Sequence, residues 1–395
     1  TNFRNTYWSW NGYFDQCEES ADLIMTPYRI GVGWGAQYIL MHKHTYNSTV
    51  DHFYETWYFP YLGIGYCNKL LDLQQIRANK ETAFEIRAMR AMFYYVLFDC
   101  YRNVPLITTS KLPDGFLPSQ EEPKVIYDFI VSELDSAKLY LPKNASYGRM
   151  NYYAACMTLS KMYLNHNAWF YGNTTEGYTD NKWYTKALAE VEEVIGSGKY
   201  SLAASYKEPF MADGSSCKEI IFAIPTDATK ARANYLSNKC LHGGSKATFL
   251  LKSAPWDGSC AVPQFIDTYD PDDQRLGDTW LIGQQYSYKK DGVDITIYQY
   301  NDYVKAGASG LTKTAITTPN DGSINYSVSV HSIDNPGAYK LEGARFWKFE
   351  IASGTGGTYG DDVAFYRLSD AMFIKAECLL RLGIDKQVAA DLVSE

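Results

Sequence analysis

The residues whose setting asks for chemistry are aromatic rings on turns. Arg29-Ile-Gly-Val-Gly-Trp34-Gly-Ala-Gln-Tyr38 places an indole and a phenol among glycines 31, 33 and 35. Ser253-Ala-Pro-Trp256-Asp257-Gly258 sets a second indole on a Pro/Gly turn beside a carboxylate, and Thr279-Trp280 and Tyr286-Ser-Tyr288 follow. A ring on such a turn has little helical or sheet burial available. Its flat face suits the C–H face of a sugar, while neighbouring Asp, Asn and Arg can hydrogen-bond the hydroxyls. The alternative is that these rings only pin long loops to the body. Both readings stand at this point. The first makes Arg29, Trp34, Tyr38, Trp256, Asp257 and Tyr286 ligand-binding residues.

Other chemistries find weaker footing. Gly354-Thr-Gly356-Gly357-Thr-Tyr-Gly360 is glycine-rich but lacks the GxGxxG spacing, and Gly196-Ser-Gly198-Lys199 has Glu193 where a P-loop needs glycine. His42-Lys-His44 with Asp51-His52 is a possible zinc or copper chelate without supporting ligands nearby. Asp270-Pro-Asp272-Asp273 opens like a calcium loop, but Arg275 and Leu281 stand where its sixth and twelfth residues should be Gly and Glu. Cofactor and metal are therefore both read as none. Neither GxSxG nor HExxH occurs. A glycosidase needs only two carboxylates at a set separation, so Asp257, Asp267 and Asp278 keep hydrolysis open as the rival activity.

Composition narrows the partners. Lys and Arg total 37 against 45 Asp and Glu, a net charge of −8, which argues against nucleic acid as the main partner. The 34 Tyr, 18 Phe and 9 Trp exceed what core filling alone explains, and Tyr in particular suits half-exposed surfaces. No run of 18 apolar residues occurs. The eight cysteines form no C-x-x-C; Cys100, Cys156 and Cys378 lie in apolar stretches and read as reduced core thiols, with a Cys240–Cys260 bridge as the minor alternative.

The elements that must position these rings are helical at both ends of the chain. Residues 1–60 are aromatic-rich and irregular. Helices are expected over about 52–76, 80–99, 124–141, 150–169 and 182–196, the last four with an apolar stripe of helical period. From 199 to 362 that period disappears, and Gly, Asn, Ser and Thr separate short strand-like runs at 219–225, 295–300, 327–331 and 346–351. Helix returns at 363–383. The reading is a mostly α chain of tetratricopeptide-like helix pairs packed against a loop-rich, ligand-binding part with short strands. Residues 1–198 and 363–395 would be the scaffold of a single domain, and 199–362 its excursion. Asp391 to Glu395 stops inside a helical pattern, so the natural chain is expected to continue.

Several blocks resemble the SusD/RagB family. Glu85-Ile-Arg-Ala-Met-Arg-Ala before Val104-Pro105-Leu106 is similar to its E-x-R-x-L-R-A block, with Arg102-Asn103 where the family usually has Gly after the Tyr101 position. Gly148-Arg149 before Ala154-Ala155, and Asp361-Asp-Val-Ala-Phe-Tyr-Arg-Leu-Ser-Asp370 running to Ala376-Glu377, match further blocks in order. The resemblance implies a non-enzymatic, glycan- or nutrient-binding lipoprotein on the outer-membrane surface. It implies an anchor through a cysteine upstream of residue 1 and a SusC-type TonB-dependent transporter as partner. It also implies Asp22, in Glu19-Ser20-Ala21-Asp22, as a binding residue. The combined expectation is that Trp34 and Trp256 share one face, with Asp22 and Tyr38 at its rim.

Overall fold

The computed structural model describes residues 2–172, 180–227, 234–334, 336–357 and 360–394. Helices α4 (Asp51–Leu71), α5 (Gln74–Ala78), α6 (Lys80–Tyr101), α7 (Pro123–Lys138), α8 (Tyr152–Tyr171) and α9 (Asn181–Ile195) follow the expected spans closely. Local signals set their ends. Asn79 caps α6 by accepting from Thr82 N–H at 3.1 Å, Pro123 occupies the first turn of α7, and Asn151 caps α8 by accepting from Ala154 N–H at 2.9 Å. Asn151 also donates to the Ile221 carbonyl at 3.1 Å, so one side chain starts the helix and ties it to a strand. Asn151→Ala is expected to lower stability by about 1–2 kcal/mol, read as a fall in the denaturation midpoint.

The helices stack in sequence order. α4 packs on α6, α6 on α7, α7 on α8 and α8 on α9; α9 then packs on Leu368–Leu382, the helix beyond the long excursion. Each buries its face against its neighbours, the arrangement of a helical solenoid. Gly63 of α4 lets Phe93 of α6 approach so closely that a Cβ there would lie 2.4 Å from the ring. Glu133 of α7 is buried and receives Arg87 (Nε, 3.0 Å) and Arg90 (Nη2, 2.7 Å) from α6, while Arg90 also donates to Asn68 of α4 at 2.6 Å. Glu85 pairs with Arg149 at the start of α8. The charged residues of the family-like block therefore join helix to helix.

Residues 1–60 are more regular than expected. Short helices α1 (Asn2–Trp8), α2 (Tyr13–Glu19) and α3 (Ala36–His42) form there, each of seven residues. Helices this short draw little from propensity and depend on tertiary packing, which a periodicity reading misses. The segment read as helix over 363–383 begins as strand Val363–Arg367, paired antiparallel with Ile220–Ile224, before the helix from Leu368. The run 295–300 is the tail of a strand followed by helix Ile297–Lys305, whose start is made by a Thr296/Gln299 capping box. Ser327 to His331 forms only an isolated bridge at Ser327, and of 346–351 only Phe346 is in a strand, with Arg345. Arg102 adopts φ +62, the position where the family-like motif would carry glycine; its guanidinium donates to Phe98 O at 3.0 Å and lies over the Phe98 ring. A larger apolar cluster spans the helices and the strand pair, and a second lies within residues 241–351. All eight cysteines are free thiols.

Candidate functional site

A two-residue ladder brings the two aromatic loops together. Ile24 and Met25 pair with Ala261 and Cys260, and Leu23 O accepts from Val262 N–H at 3.0 Å. The chain nine residues after the first strand of this ladder and four before the second then face each other. Trp34 Nε1 donates to the Trp256 carbonyl at 3.0 Å. Gly258 fits between them: a Cβ there would lie 2.7 Å from both the Lys239 carbonyl and the Trp34 ring. Gly258→Ala is expected to destabilise by about 1–3 kcal/mol, seen in a melt, because the carbonyl is backbone and cannot swing away.

Trp10 completes the cluster from the turn after α1. It stacks on Trp34 (centroids 5.4 Å, 22°), lies 5.0 Å from Trp256 and stacks on Tyr235 at 5.9 Å. Trp10 is 39% exposed, while Trp34 and Trp256 are half-buried. Together with Tyr38, His52 and Asp257 they line an open cavity of about 620 Å³, and Asn11, Gln37 and Asp51 add amide and carboxylate groups. Gln37 and Asp51 hold each other through two hydrogen bonds of 2.8 and 2.7 Å. Asp257 adopts φ +59 and accepts from Gly243 N–H at 3.0 Å, which fixes its carboxylate at the rim.

The floor is a buried charge network. Lys239, fully buried, donates to Asp15 at 2.6 Å and Glu19 at 2.8 Å, and its ammonium lies 4.3 Å from the centre of the Tyr38 ring. Asp15 also takes His52 Nε2 at 2.8 Å. Thr26 and Ser259 hydrogen-bond to Glu19. Burial pulls the Lys239 ammonium down, but Asp15 and Glu19 outweigh it and hold its pKa well above the ordinary value. Burial raises the Asp15 carboxyl, and Lys239 with His52 more than offsets it, leaving it below the usual range.

Three of the expected site residues lie away from this cavity. Arg29 is fully buried beneath the platform. Its Nε donates to Gly258 O at 2.9 Å, and its Nη1 donates to Tyr339 O at 2.8 Å and Glu342 O at 2.6 Å. Arg345, also fully buried, donates to Cys240, Lys340 and Glu342 carbonyls. Burial first, then Arg345, pulls the Arg29 pKa to about 10. Arg29 thus ties its own turn to the loops at Gly258 and at Tyr339–Glu342, and it does not line the cavity. Asp22 is exposed and does not line the cavity, because it follows the end of α2 and precedes the ladder. Tyr286 starts strand Tyr286–Lys290 in a separate three-stranded sheet, under Lys313, and packs on the second apolar cluster.

Of the expected residues, Trp34, Tyr38, Trp256 and Asp257 do meet. Trp10, Asn11, Gln37, Asp51 and His52 were missed. Trp10-Asn11-Gly12 is itself an aromatic turn, with Asn11 at φ +60, and the logic applied to Trp34 would have found it. The candidate histidine chelate is dispersed: His52 serves Asp15, and His44 Nε2 meets the Ser20 carbonyl at 2.8 Å. Among the described residues no group of three or more His, Cys, Asp or Glu could hold a metal ion. Thr358 and Tyr359 of the glycine-rich run lie outside the described residues. A second cavity of about 610 Å³ opens between helices and strands, walled by core rings such as Tyr7, Trp8 and Phe349; burial pushes its Glu18 carboxyl up to about 7.

Comparison with known proteins follows the same lines. Residues 28–164 match a family model for SusD-like proteins, described as starch-binding and associating with the outer membrane. The starch-binding protein SusD of Bacteroides thetaiotaomicron is 30% identical over 214 residues, 51% of this chain and 36% of that protein. The match thus spans little more than a third of that relative's length. A SusD superfamily protein from Parabacteroides distasonis superposes with a TM-score of 0.69 at 20% identity, covering 95% of this chain and 72% of its own. Surface glycan-binding protein A of B. thetaiotaomicron, solved with laminarihexaose, gives 0.68 at 16%, covering 100% and 80%. At these identities the structures show a shared fold. The likeness to SusD-like proteins is one of sequence over residues 28–164 and of fold alone over nearly the whole chain.

Proposed function

We propose that this chain captures a glycan on the Trp10–Trp34–Trp256 platform and passes it to a SusC-type TonB-dependent transporter at the outer-membrane surface, without chemistry of its own. The observation that carries the reading is the convergence of three partly exposed indoles from distant turns at one open cavity rimmed by amide and carboxylate groups. Such a surface stacks on sugar rings and accepts from hydroxyls. The relative named for starch binding and the similar structure solved with laminarihexaose point the same way. In this reading residues 1–198 and 363–395 are the scaffold of one domain. The excursion 199–362 supplies the Trp256 side of the site, and an N-terminal lipid anchor holds the protein at the membrane. No helix among the described residues is long and apolar enough to cross a membrane.

The rival is glycan hydrolysis by loop carboxylates. Of Asp257, Asp267 and Asp278 only Asp257 lines the platform cavity, and the Gly243 N–H engages it, which favours binding over catalysis. Titration of oligosaccharides, followed by indole fluorescence and by product analysis, tests both. Trp10→Ala is expected to weaken binding by about 1–3 kcal/mol, the scale of a stacked ring at a hot spot, with an unchanged melting temperature. Release of shortened sugars above a heat-inactivated control would support the rival. A Trp10→Ala variant that binds as well as the parent would remove the platform from the function.

A further inference from the structure

We infer that the platform selects neutral glycans and excludes anionic ones, uronate- and sulfate-bearing chains included; this rests on the glycan-binding reading above. Among the described residues, those lining the cavity include two carboxylates, Asp51 and Asp257, and no Lys or Arg. An anionic sugar is held by cationic donors, above all by a guanidinium fork or an ammonium. Among the described residues, the cations close to the platform are engaged away from it. Lys239 is sealed under the Tyr38 ring and committed to Asp15 and Glu19. Arg29 is fully buried, with Nε and Nη1 turned to the carbonyls of Gly258, Tyr339 and Glu342. Lys340, beside the Gly31 turn, leans toward Asp321 at 3.5 Å. His52 gives its Nε2 to buried Asp15.

The neutral polar groups lean the same way. Trp34 Nε1 is taken by the Trp256 carbonyl and Gln37 Nε2 by Asp51, so two lining donors are already engaged. The two rim carboxylates are acceptors, and acceptors match a ligand rich in hydroxyl donors. A ligand carboxylate or sulfate brings acceptors to acceptors. Set about 7 Å from one rim carboxylate, such a group is disfavoured roughly 3-fold at the dielectric of water and roughly 50-fold at an effective surface value of about 20.

The test uses the whole chain and three length-matched probes: a neutral glucan hexasaccharide, a hexagalacturonate and a fully deacetylated glucosamine hexamer, each titrated at low and at high salt. The neutral probe is expected to bind with an affinity that salt changes less than about twofold, because no ion pair is formed. The hexagalacturonate is expected to bind at least about tenfold more weakly. The double variant Asp51→Asn/Asp257→Asn should narrow the ratio between neutral and anionic affinities several-fold, whatever it does to the neutral affinity itself. Equal or tighter binding of the galacturonate overturns the exclusion and leaves the glycan reading intact. Tightest binding by the glucosamine hexamer, lost in salt, makes the site a cation cage and overturns the neutral assignment. Failure of all three to bind overturns the glycan reading itself.

Discussion

Lys239→Met destabilises the fold by about 3–5 kcal/mol, the scale for removing one partner from a buried ion network. Among the described residues, Lys239 is the only cation that touches both Asp15 and Glu19, and all three side chains are almost wholly out of solvent. Methionine fills the volume but leaves two carboxylates with His52, Thr26 and Ser259 alone. The triple variant Lys239→Met/Asp15→Asn/Glu19→Gln should recover part of the loss, because the uncompensated charge is gone. The pH dependence has a defined sign. Asp15 is held below its ordinary value when folded, so its contribution is present above an unfolded pKa of about 3.9 and fades as pH falls through the folded one. Lys239 is held above its ordinary value, so its contribution is full below about 10.4 and fades as pH rises through the folded value. Denaturation midpoints across pH should therefore fall on the acid side in the parent, and less steeply in the triple variant. A Lys239→Met loss under about 1 kcal/mol would show that the floor is not a closed network.

Arg29→Ala is expected to cost about 3–5 kcal/mol and to weaken glycan binding without any direct contact. Three carbonyls, at Gly258, Tyr339 and Glu342, lose a charged donor in a buried place, and each such bond is worth about 1.5–3 kcal/mol before the neighbours relax. The loop at Gly258 then comes free of the 29–35 turn, and the Trp34–Trp256 contact loosens with it. Arg29→Lys should restore little, because an ammonium cannot span carbonyls that a planar fork reaches from two nitrogens. Urea denaturation and glycan titration on the same samples separate the possibilities. Reduced affinity at unchanged stability would mean that the guanidinium meets the sugar after all.

The family-like blocks were legible because their residues do local, repeated work. Glu85, Arg87 and Arg90 sit on one helix and join it to its neighbours, and Arg367 bridges from the end of a strand to Glu219 at 2.9 Å. Helix packing of this kind needs particular side chains at particular spacings, so it leaves a pattern along the chain. The aromatic turns at Trp34 and Trp256 were legible for a related reason: glycine and proline around an indole remove its usual places of burial.

Periodicity, capping residues and turn chemistry act within a few residues of themselves, and from them the sequence alone determined the helix stack, the loop-rich excursion and the presence of unburied rings. Which rings meet was decided by contacts more than 200 positions apart. The Ile24–Met25 ladder with Cys260–Ala261 sets Trp34 on Trp256, and it sets Arg29 under Gly258 instead of beside a ligand. Asp22 and Tyr286 carry the same residue chemistry as Asp257 and Tyr38, yet one faces solvent behind the ladder and the other packs on a different sheet. A side chain's type states what it can bind, but only long-range pairing, which has no signature along the chain, states what it will face.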